Sequence, residues 1–283
     1  MALSARVPST SSSNRFIKTL FSKQVAEAIH NNLVCVPLVN SAFKSELRKG
    51  EILYIPKTNT ATAYEVVVGT ASTASNPLNT AAVTLTIDQW YDVKTPIDDM
   101  TARQSEIDLF AIARKESVYA LTKKMDTSVN TLFSALNGST VLGTDGTAVT
   151  DDVLLSAWET LGENDAPMEG RAIIVNPATV VDFMKTEKLV NQLYGAGNPT
   201  TAGFRGFHKV YGIPIYMTNN LTAATVGAYA AMIHKECIGF VAQEEPESEI
   251  YDVPIEHQEY VLCTALWGVI EVRDTFGVPF YTR

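Results

Sequence analysis

The sequence reads GEILYIP at residues 50–56 and AVTLTIDQWYDVKTPIDDM at residues 82–100, and these two stretches decide the fold. In the second stretch, apolar and polar residues alternate, so that Val83, Leu85 and Ile87 share one face. Strict alternation is typical of a β-strand that is covered on one side. Both stretches are therefore predicted to be strands, and the first has the length and composition to pair with the second.

The segment between the two stretches predicts the shape of the whole region. AYEVVV (63–68) also has strand character, whereas residues 69–80, GTASTASNPLNT, are small and polar and indicate a flexible tip. WYDV (90–93) is predicted to continue outward from the second strand. Residues 50–98 thus predict a long two-stranded ribbon, which has too few apolar residues for a core of its own and is expected to be covered by neighbouring copies of the chain.

A helical pattern follows the ribbon. Asp98 and Asp99 mark its start, and Asn137-Gly138 marks its end. The apolar residues between them recur mostly at steps of three and four: Ile107, Phe110, Ala111, Val118, Leu121, Met125, Val129, Leu132 and Leu136. The spacing predicts one helix over about residues 102–136, with a length on the order of 50 Å.

The rest of the chain predicts a compact α/β unit over residues 139–248 and terminal strands over residues 259–283. The predicted elements of the unit are a turn at 143–147, a helix capped by Thr150–Asp152, a strand at 171–177, helices at 178–186 and 188–194, a glycine-rich loop at 195–207, and strands at 209–221 and 228–234. No repeat with a fixed period is visible.

Composition and charge exclude several classes of protein. Of the 283 residues, 46% are apolar and 19% are charged, and no run of 18 apolar residues exists, so the chain is expected to be globular and not to span a membrane. The net charge of −9 divides into +5 over residues 1–50 and −14 over the remainder. An acidic body argues against a protein whose main work is to bind nucleic acid.

The N-terminal region is predicted to be an arm. Residues 1–14 are rich in Ser, Thr and Ala, and no apolar stretch of signal-peptide length is present, so a cleaved secretion signal is not expected. Residues 15–31 place Phe16, Leu20, Val25 and Ile29 at helical spacing after Asn14, a plausible N-cap, which predicts a short amphipathic helix.

A scan for chemistry predicts no catalytic, cofactor or metal site. The sequence has no nucleophile elbow, phosphate-binding loop or HExxH motif, and its four histidines and three cysteines are scattered. A concentration of acids begins at Glu244 and contains no base. Our interpretation is a solvated face, or an ion-pair surface for the basic residues Arg48, Lys49 or Lys57 of another subunit.

The order of these parts resembles the major capsid proteins of tailed bacteriophages, which have the Hong Kong 97-type fold, and is most similar to the coat proteins of short-tailed phages. The local matches are GEILYIP (50–56), AVTLTIDQWYDVKTPIDDM (82–100), RAIIVNPATVVDFM (171–184) and VYGIPIYMTNNL (210–221). The resemblance implies an α+β fold with an N-terminal arm, a long β-hairpin called the E-loop, a spine helix in a peripheral domain, and an α/β axial domain.

The resemblance also implies a division of the chain. Residues 1–45 would be the N-terminal arm, 46–98 the E-loop, 99–145 the peripheral domain with its spine helix, 146–245 the axial domain, and 246–283 a return to the strands of the peripheral domain. It implies no enzymatic activity. The residues expected at subunit interfaces are Arg48, Lys49, Lys57, Tyr64, Glu244, Glu245, Glu247 and Glu249.

The implied function is a major capsid protein that assembles in the host cytoplasm into an icosahedral head shell around double-stranded DNA. Its expected partners are copies of itself in hexamers and pentamers, together with scaffolding, portal and decoration proteins. The basic arm would contact packaged DNA only weakly, and no membrane or cofactor is expected. Three alternatives stay open at this point: a shell protein of a bacterial encapsulin nanocompartment, a soluble enzyme that uses loop 195–207 as a lid, and a tail or adhesion protein that forms open tubes or trimeric fibres.

Overall fold

The computed structural model describes residues 34–45, 50–58, 61–65, 68, 80–105, 107–186 and 209–283. The predicted N-terminal helix at 15–31, the predicted helix at 188–194 and the glycine-rich loop at 195–207 lie outside these residues. AYEVVV lies only partly inside them, and its residues 63–65 are not in a strand.

The described chain contains five α-helices and ten strands. The helices are α1 (Asp99–Gln104), α2 (Leu109–Thr131), α3 (Leu136–Ser139, a single turn), α4 (Asp151–Glu163) and α5 (Pro177–Lys185). The strands are β1 (Ile52–Thr58), β2 (Thr80–Thr86), β3 (Gln89–Asp98), β4 (Arg171–Val175), β5 (Lys209–Val210), β6 (Ile213–Met217), β7 (Ala228–His234), β8 (Ile238–Val253), β9 (Gln258–Glu271) and β10 (Gly277–Thr282). They form a two-stranded sheet β1-β2, a three-stranded sheet β3-β9-β8 and a five-stranded sheet β10-β7-β4-β6-β5.

The five-stranded sheet confirms the predicted α/β unit. β4 is buried along its whole length because α4 and the end of α2 pack with it in one apolar core, which contains Leu154, Leu161 and Phe133. β4 and β6 run parallel, and the other neighbours are antiparallel. The strand predicted over 209–221 is two strands, because Tyr211 and Gly212 adopt positive φ angles of 49° and 81° and turn the chain back on itself.

β3 corrects the prediction that WYDV continues the ribbon. All ten residues of β3 pair with β9, and none pairs with β1 or β2. The physical reason is the inner face of β3, where Val93 and Ile97 pack into apolar clusters that include residues of α2. Burial of these side chains fixes the strand to the body of the subunit and ends the ribbon before Gln89.

The resemblance places residues 246–283 in one set of strands, whereas β10 lies in a different sheet from β8 and β9. β10 pairs with β7 in the α/β unit, and the backbone of Leu142 bonds to its other edge. Val278 and Phe280 are fully buried in the main core of the chain. A strand that is apolar in this way is stable in the interior of the α/β unit and would be costly on an open sheet edge.

The single helix predicted over 102–136 is divided into α1 and α2. The Ser105 hydroxyl donates to the Ile107 carbonyl oxygen at 3.0 Å and accepts from the Ile107 amide at 3.1 Å, so side-chain bonds replace helical ones. The Asp108 carboxylate then caps α2 by accepting from the Ala111 amide at 3.0 Å. The 23 residues of α2 span about 35 Å instead of the expected 50 Å.

The predicted apolar face is confirmed, whereas the helix ends earlier than predicted. Leu121, Met125 and Val129 are buried in the main core. α2 ends at Thr131 and a 3-10 turn (Leu132–Ser134) follows it, so that Asn137 and Gly138, with positive φ angles of 54° and 61°, turn the chain after the helix has ended. Together, these residues hold the three-stranded sheet and the α/β unit on one continuous core.

Asp145, in the predicted turn at 143–147, gives a pH-dependent contact. Its carboxylate accepts from the backbone amides of Val226 and Gly227, each at 2.9 Å. These bonds, that of Gly227 first, lower the pKa of Asp145 below its ordinary value of 3.8. Because the folded-state pKa is the lower one, the contact stabilises the folded chain above pH 3.8 and is lost as the pH falls through the folded-state value.

We therefore expect the protection of the Val226 and Gly227 amides against exchange, measured relative to the intrinsic exchange rate at each pH, to fall on acidification in the wild-type chain. Asp145→Asn removes the titrating group, so its exchange at the two amides should show no such acid-dependent step. Hydrogen exchange followed by NMR spectroscopy or mass spectrometry measures both. The same pH profile in the two proteins would show that Asp145 does not control this loop.

Candidate assembly surfaces

The three-stranded sheet has one covered face and one largely open face. On the covered face, Val261, Cys263 and Ala265 of β9 are fully buried. Trp267 extends this face and stacks on Tyr91 with ring centroids 5.2 Å apart. The Thr95 and Ser117 hydroxyl groups approach to 3.4 Å between β3 and α2. This face is therefore filled by the chain itself.

The open face consists of the residues that alternate with those of the covered face. Paired residues of antiparallel strands point to the same side, so the register defines rows across the sheet. One row joins Asp92, Thr264 and Glu247, and the next joins Lys94, Leu262 and Glu249. The apolar members of this face, such as Leu262, are only half-buried within the described chain.

The base of the ribbon covers one end of the open face. Ile55 and Leu85 are buried there with Val241, against the partly buried Leu266. The approach is so close that a Cβ atom on Gly268 would lie 2.3 Å from the Thr86 carbonyl oxygen. The expectation that only other molecules cover the ribbon is therefore wrong for its base, because the sheet of the same chain covers it.

The opposite face of the ribbon is exposed and apolar. Ile52 and Tyr54 are 44% and 63% exposed, and Pro56 and Ala82 are also exposed. The register places these residues in three neighbouring cross-strand pairs, which are Ile52 with Thr86, Tyr54 with Thr84, and Pro56 with Ala82. A contiguous apolar face of this kind on a thin, protruding element indicates a protein–protein contact.

The four predicted interface glutamates lie in one place. Glu244, Glu245, Glu247 and Glu249 are exposed on β8, and we call them the acidic strand surface. β8 is an edge strand, and its register shifts on both sides of Glu244, with Pro246 following. Charges, proline and bulges prevent an edge strand from pairing indiscriminately, which leaves the surface open to a specific partner.

The structure does not bring the predicted basic residues to these glutamates within one chain. Lys57 is exposed, and among the described residues no carboxylate lies within ion-pair distance of its ammonium group. It shares a ribbon face with Ile55 and Val83. Tyr64 is 49% exposed. Arg48 and Lys49 lie outside the described residues.

The sequence analysis missed a buried polar cluster at the root of the N-terminal arm. Oδ1 of Asp126, which is fully buried in α2, accepts from the backbone amides of Cys35 at 2.7 Å and Val36 at 3.2 Å. Oδ2 of Asp126 accepts from the Asn220 side-chain amide at 3.5 Å, and Asn130 donates to the Asn220 carbonyl oxygen at 2.9 Å. Asp126 is polar at a core position of its helix, which is the only local signal for this cluster.

Burial raises the pKa of the Cys35 thiol, and the neighbouring Asp126 carboxylate adds to the increase. Burial likewise raises the pKa of the Cys237 and Cys263 thiols. Within the described ranges, no three His, Cys, Asp or Glu side chains are grouped so that they could hold a metal ion. Across the same part of the chain, no helix combines the length and apolar character needed to cross a membrane.

Comparison with known proteins identifies the fold. A chain of Mycobacterium phage Che8 superimposes with a TM-score of 0.81 at 22% identity, covering 94% of this chain and 97% of that one. A capsid chain of the cyanophage P-SCSP1u gives a TM-score of 0.73 at 17% identity, with coverages of 97% and 95%. A mature capsid chain of bacteriophage PhiM1 gives a TM-score of 0.71 at 14% identity, with coverages of 94% and 92%. No curated protein sequence matches the chain.

The architecture is thus that of Hong Kong 97-type phage capsids, as the sequence resemblance implied. Residues 80–262, more than half of the chain, match the family described as phage capsid protein, and the chain belongs to that family. It is a major capsid protein of a tailed phage, and it assembles with copies of itself into the head shell of the virion.

Proposed function

We propose that the subunit builds the head shell by laying its ribbon across the open sheet face of a neighbouring copy, in rings of five and six that tile the shell. The observation that supports this proposal is that one chain has two surfaces that its own described residues do not cover. The ribbon has an exposed apolar face around Ile52 and Tyr54, and the sheet has an open face around Leu262 and Thr264. Head-to-tail contacts between two different surfaces close into rings.

The proposal assigns parts to the chain. Residues 1–45 form the N-terminal arm and the ribbon forms the tip of the E-loop, with β3 as the strand that anchors the E-loop to the body. α2 is the spine of the peripheral part, together with β8 and β9. The α/β unit is the axial part, and β10 is assigned to it because it pairs with β7. A rigid core with thin limbs suits a shell, because the limbs bend where neighbouring contacts differ.

Charge is proposed to set the orientation of the two copies at the contact. The acidic strand surface of one copy is proposed to receive Arg48, Lys49 and Lys57 of the next. Because Lys57 lies on the opposite ribbon face from Tyr54, its long side chain would reach that surface around the edge of the ribbon. Exposed ion pairs contribute only about 0.2–1 kcal/mol each, so they set register and orientation while apolar burial supplies the affinity. Scaffolding, portal and decoration proteins are proposed as further partners, and the basic arm is proposed as a weak contact with the enclosed double-stranded DNA.

We also propose that the chain is not an enzyme. The support is chemical, since the thiols of Cys35, Cys237 and Cys263 are buried and their raised pKa keeps them protonated and poorly nucleophilic.

A charge-exchange experiment tests the proposed pairing. Lys57→Glu and Glu249→Lys should each raise the protein concentration at which shells form, because each places like charges at the contact. The double variant restores an opposite pair, so it should assemble at a concentration closer to that of the wild type, as measured by light scattering.

The control combines Glu249→Lys with Lys123→Glu, a change of equal charge on the exposed side of α2, and it should restore nothing. If the Lys57 and Glu249 effects simply add, the two side chains do not meet, and this assignment of the contact is wrong. If the wild-type chain forms no shells under any condition in which capsid subunits assemble, the assembly proposal itself is contradicted.

A further inference from the structure

A pocket lies at the amino end of β4, next to the end of β7 and to strands β5 and β6. Its volume is about 440 Å³. Three basic residues, Arg171, Lys209 and Lys235, line it against one acidic residue, Glu169. The chain as a whole is acidic, with a net charge of −9. An excess of positive charge in one pocket of an acidic protein indicates a site for an anion.

The five-stranded sheet brings the two lysines to the same end of β4. Lys235 follows the last residue of β7, and its backbone amide donates to the Gly170 carbonyl oxygen at 3.0 Å, just before β4 begins. Lys209 pairs with Pro214 in the ladder of β5 and β6, and β6 is the other neighbour of β4. Both lysines are exposed, and among the described residues no carboxylate lies within ion-pair distance of either ammonium group. Both charges are therefore available to a ligand.

Arg171 is a buried cation, and the described part of the chain does not neutralise its charge. The residue is 3% exposed. Its Nε donates to the Pro167 carbonyl oxygen at 2.9 Å, and its Nη2 donates to the Ala166 carbonyl oxygen at 2.7 Å. Nη1 is buried and, within the described ranges, has no hydrogen-bond partner. Burial lowers the pKa of this guanidinium, because removal from water disfavours its charged form. An anion in the pocket would offset that cost.

The number of cations favours phosphate over a carboxylate. A phosphate monoester carries a charge of about −1.5 to −2 near pH 7 and has three strong acceptor oxygens, whereas a carboxylate has one charge and two oxygens. The guanidinium group presents a planar set of donors that matches phosphate oxygens, and the two ammonium groups supply further donors. Leu38, Pro214 and Tyr216 form part of the remaining wall, which leaves an apolar surface for an organic group attached to the phosphate.

We propose that this pocket binds a phosphate group through Arg171, Lys209 and Lys235. The ligand is either inorganic phosphate or a phosphate monoester, which share the chemistry that the three bases recognise. The inference goes beyond the proposed function and does not depend on it, because all three bases belong to one chain. Since the ligand would neutralise the Arg171 charge and link the end of β7 to β5, it should stabilise the α/β unit.

Thermal unfolding of the unassembled full-length chain in inorganic phosphate tests the proposal. Sodium chloride of matched ionic strength is the reference, because salt alone screens charges. A ligand that binds only the folded chain raises the melting temperature, and the increase grows with the ligand concentration. We expect phosphate to raise the melting temperature more than chloride does, in a saturable manner. Equal responses to the two salts would overturn the inference.

A double variant tests which residues bind the anion. Lys209→Gln with Lys235→Gln removes two exposed charges, and it should weaken the apparent affinity for phosphate by about tenfold or more, as expected when charged hydrogen-bond donors are lost. The matched control, Lys123→Gln with Lys185→Gln, removes two exposed lysines of α2 and α5 and should respond to phosphate like the wild type. The same affinity in both double variants would show that the pocket is not the site.

Thymidine monophosphate, used in place of inorganic phosphate, distinguishes the two sources of the phosphate group. A response to inorganic phosphate alone assigns the pocket to the free anion. A stronger response to the nucleotide, lost in the Lys209→Gln, Lys235→Gln variant, assigns it to a phosphate monoester that also contacts the apolar wall. The absence of a response to either ligand would overturn the inference and leave the proposed function untouched.

Discussion

Replacing residues 59–79 with an Asn-Gly turn is expected to give a folded subunit that no longer closes into shells. Thr58 and Thr80 are partners in the ladder, so a two-residue turn joins them without changing the register. The base of the ribbon keeps Ile55, Leu85 and Val241 in their shared cluster, and the main core is untouched. The variant keeps both described strands of the ribbon and loses only the residues between them.

Two measurements separate folding from assembly in this variant. Thermal unfolding of the unassembled subunit should match that of the wild type, because the deletion removes none of the buried residues of either cluster. Negative-stain microscopy and sedimentation should show free subunits or open fragments where the wild type shows closed particles. Closed particles of wild-type stability from the shortened chain would show that the ribbon tip is not needed for the contact.

Asp126→Ala is expected to destabilise the subunit by about 3 kcal/mol and to release the root of the N-terminal arm. The substitution leaves the amides of Cys35 and Val36 without their acceptor, and an unpaired amide in the interior costs about 1–3 kcal/mol. Urea unfolding measures the stability. The rate at which Cys35 reacts with a thiol reagent measures the release, since Cys35 is fully buried in the wild type.

Asp126→Asn keeps an oxygen acceptor at the same place and should lose much less stability than Asp126→Ala. Asp88→Ala removes an exposed carboxylate from the chain and should change the free energy of unfolding by no more than about 0.5 kcal/mol. If Asp126→Ala unfolds like Asp88→Ala and its Cys35 stays unreactive, the buried cluster does not hold the arm.

The sequence predicted those parts of the fold that depend on local patterns. The alternation around Leu85 identified a strand, and the apolar run 171–175 identified β4. In both cases the burial of the strand is reflected in its own pattern of apolar and polar residues. The spacing of the apolar residues did not predict the break at Ser105. Spacing alone does not show that the Ser105 and Asp108 side chains form hydrogen bonds with backbone groups. The pairing of β3 with β9 was not predicted either, because β9 lies far along the chain and no local signal links the two strands.

Among the candidate surfaces, too, the sequence predicted those that depend on local composition and not those that depend on strand register. The acidic strand surface was predicted because consecutive glutamates on an edge strand are visible in composition. The open face of the three-stranded sheet was not predicted, because it depends on the register that pairs β3, β9 and β8. Asp126 is one of two acidic residues in α2, the other being Glu116, and only the structure shows that two amides from a distant segment donate to it.

Electron cryo-microscopy of particles assembled from the purified chain tests the central claim most directly. We predict closed shells in which the exposed face of the ribbon, at Ile52 and Tyr54, lies on the open sheet face of a neighbouring copy, near Leu262 and Thr264. A chain that stays monomeric at high concentration, or shells in which each ribbon contacts only its own subunit, would contradict the account.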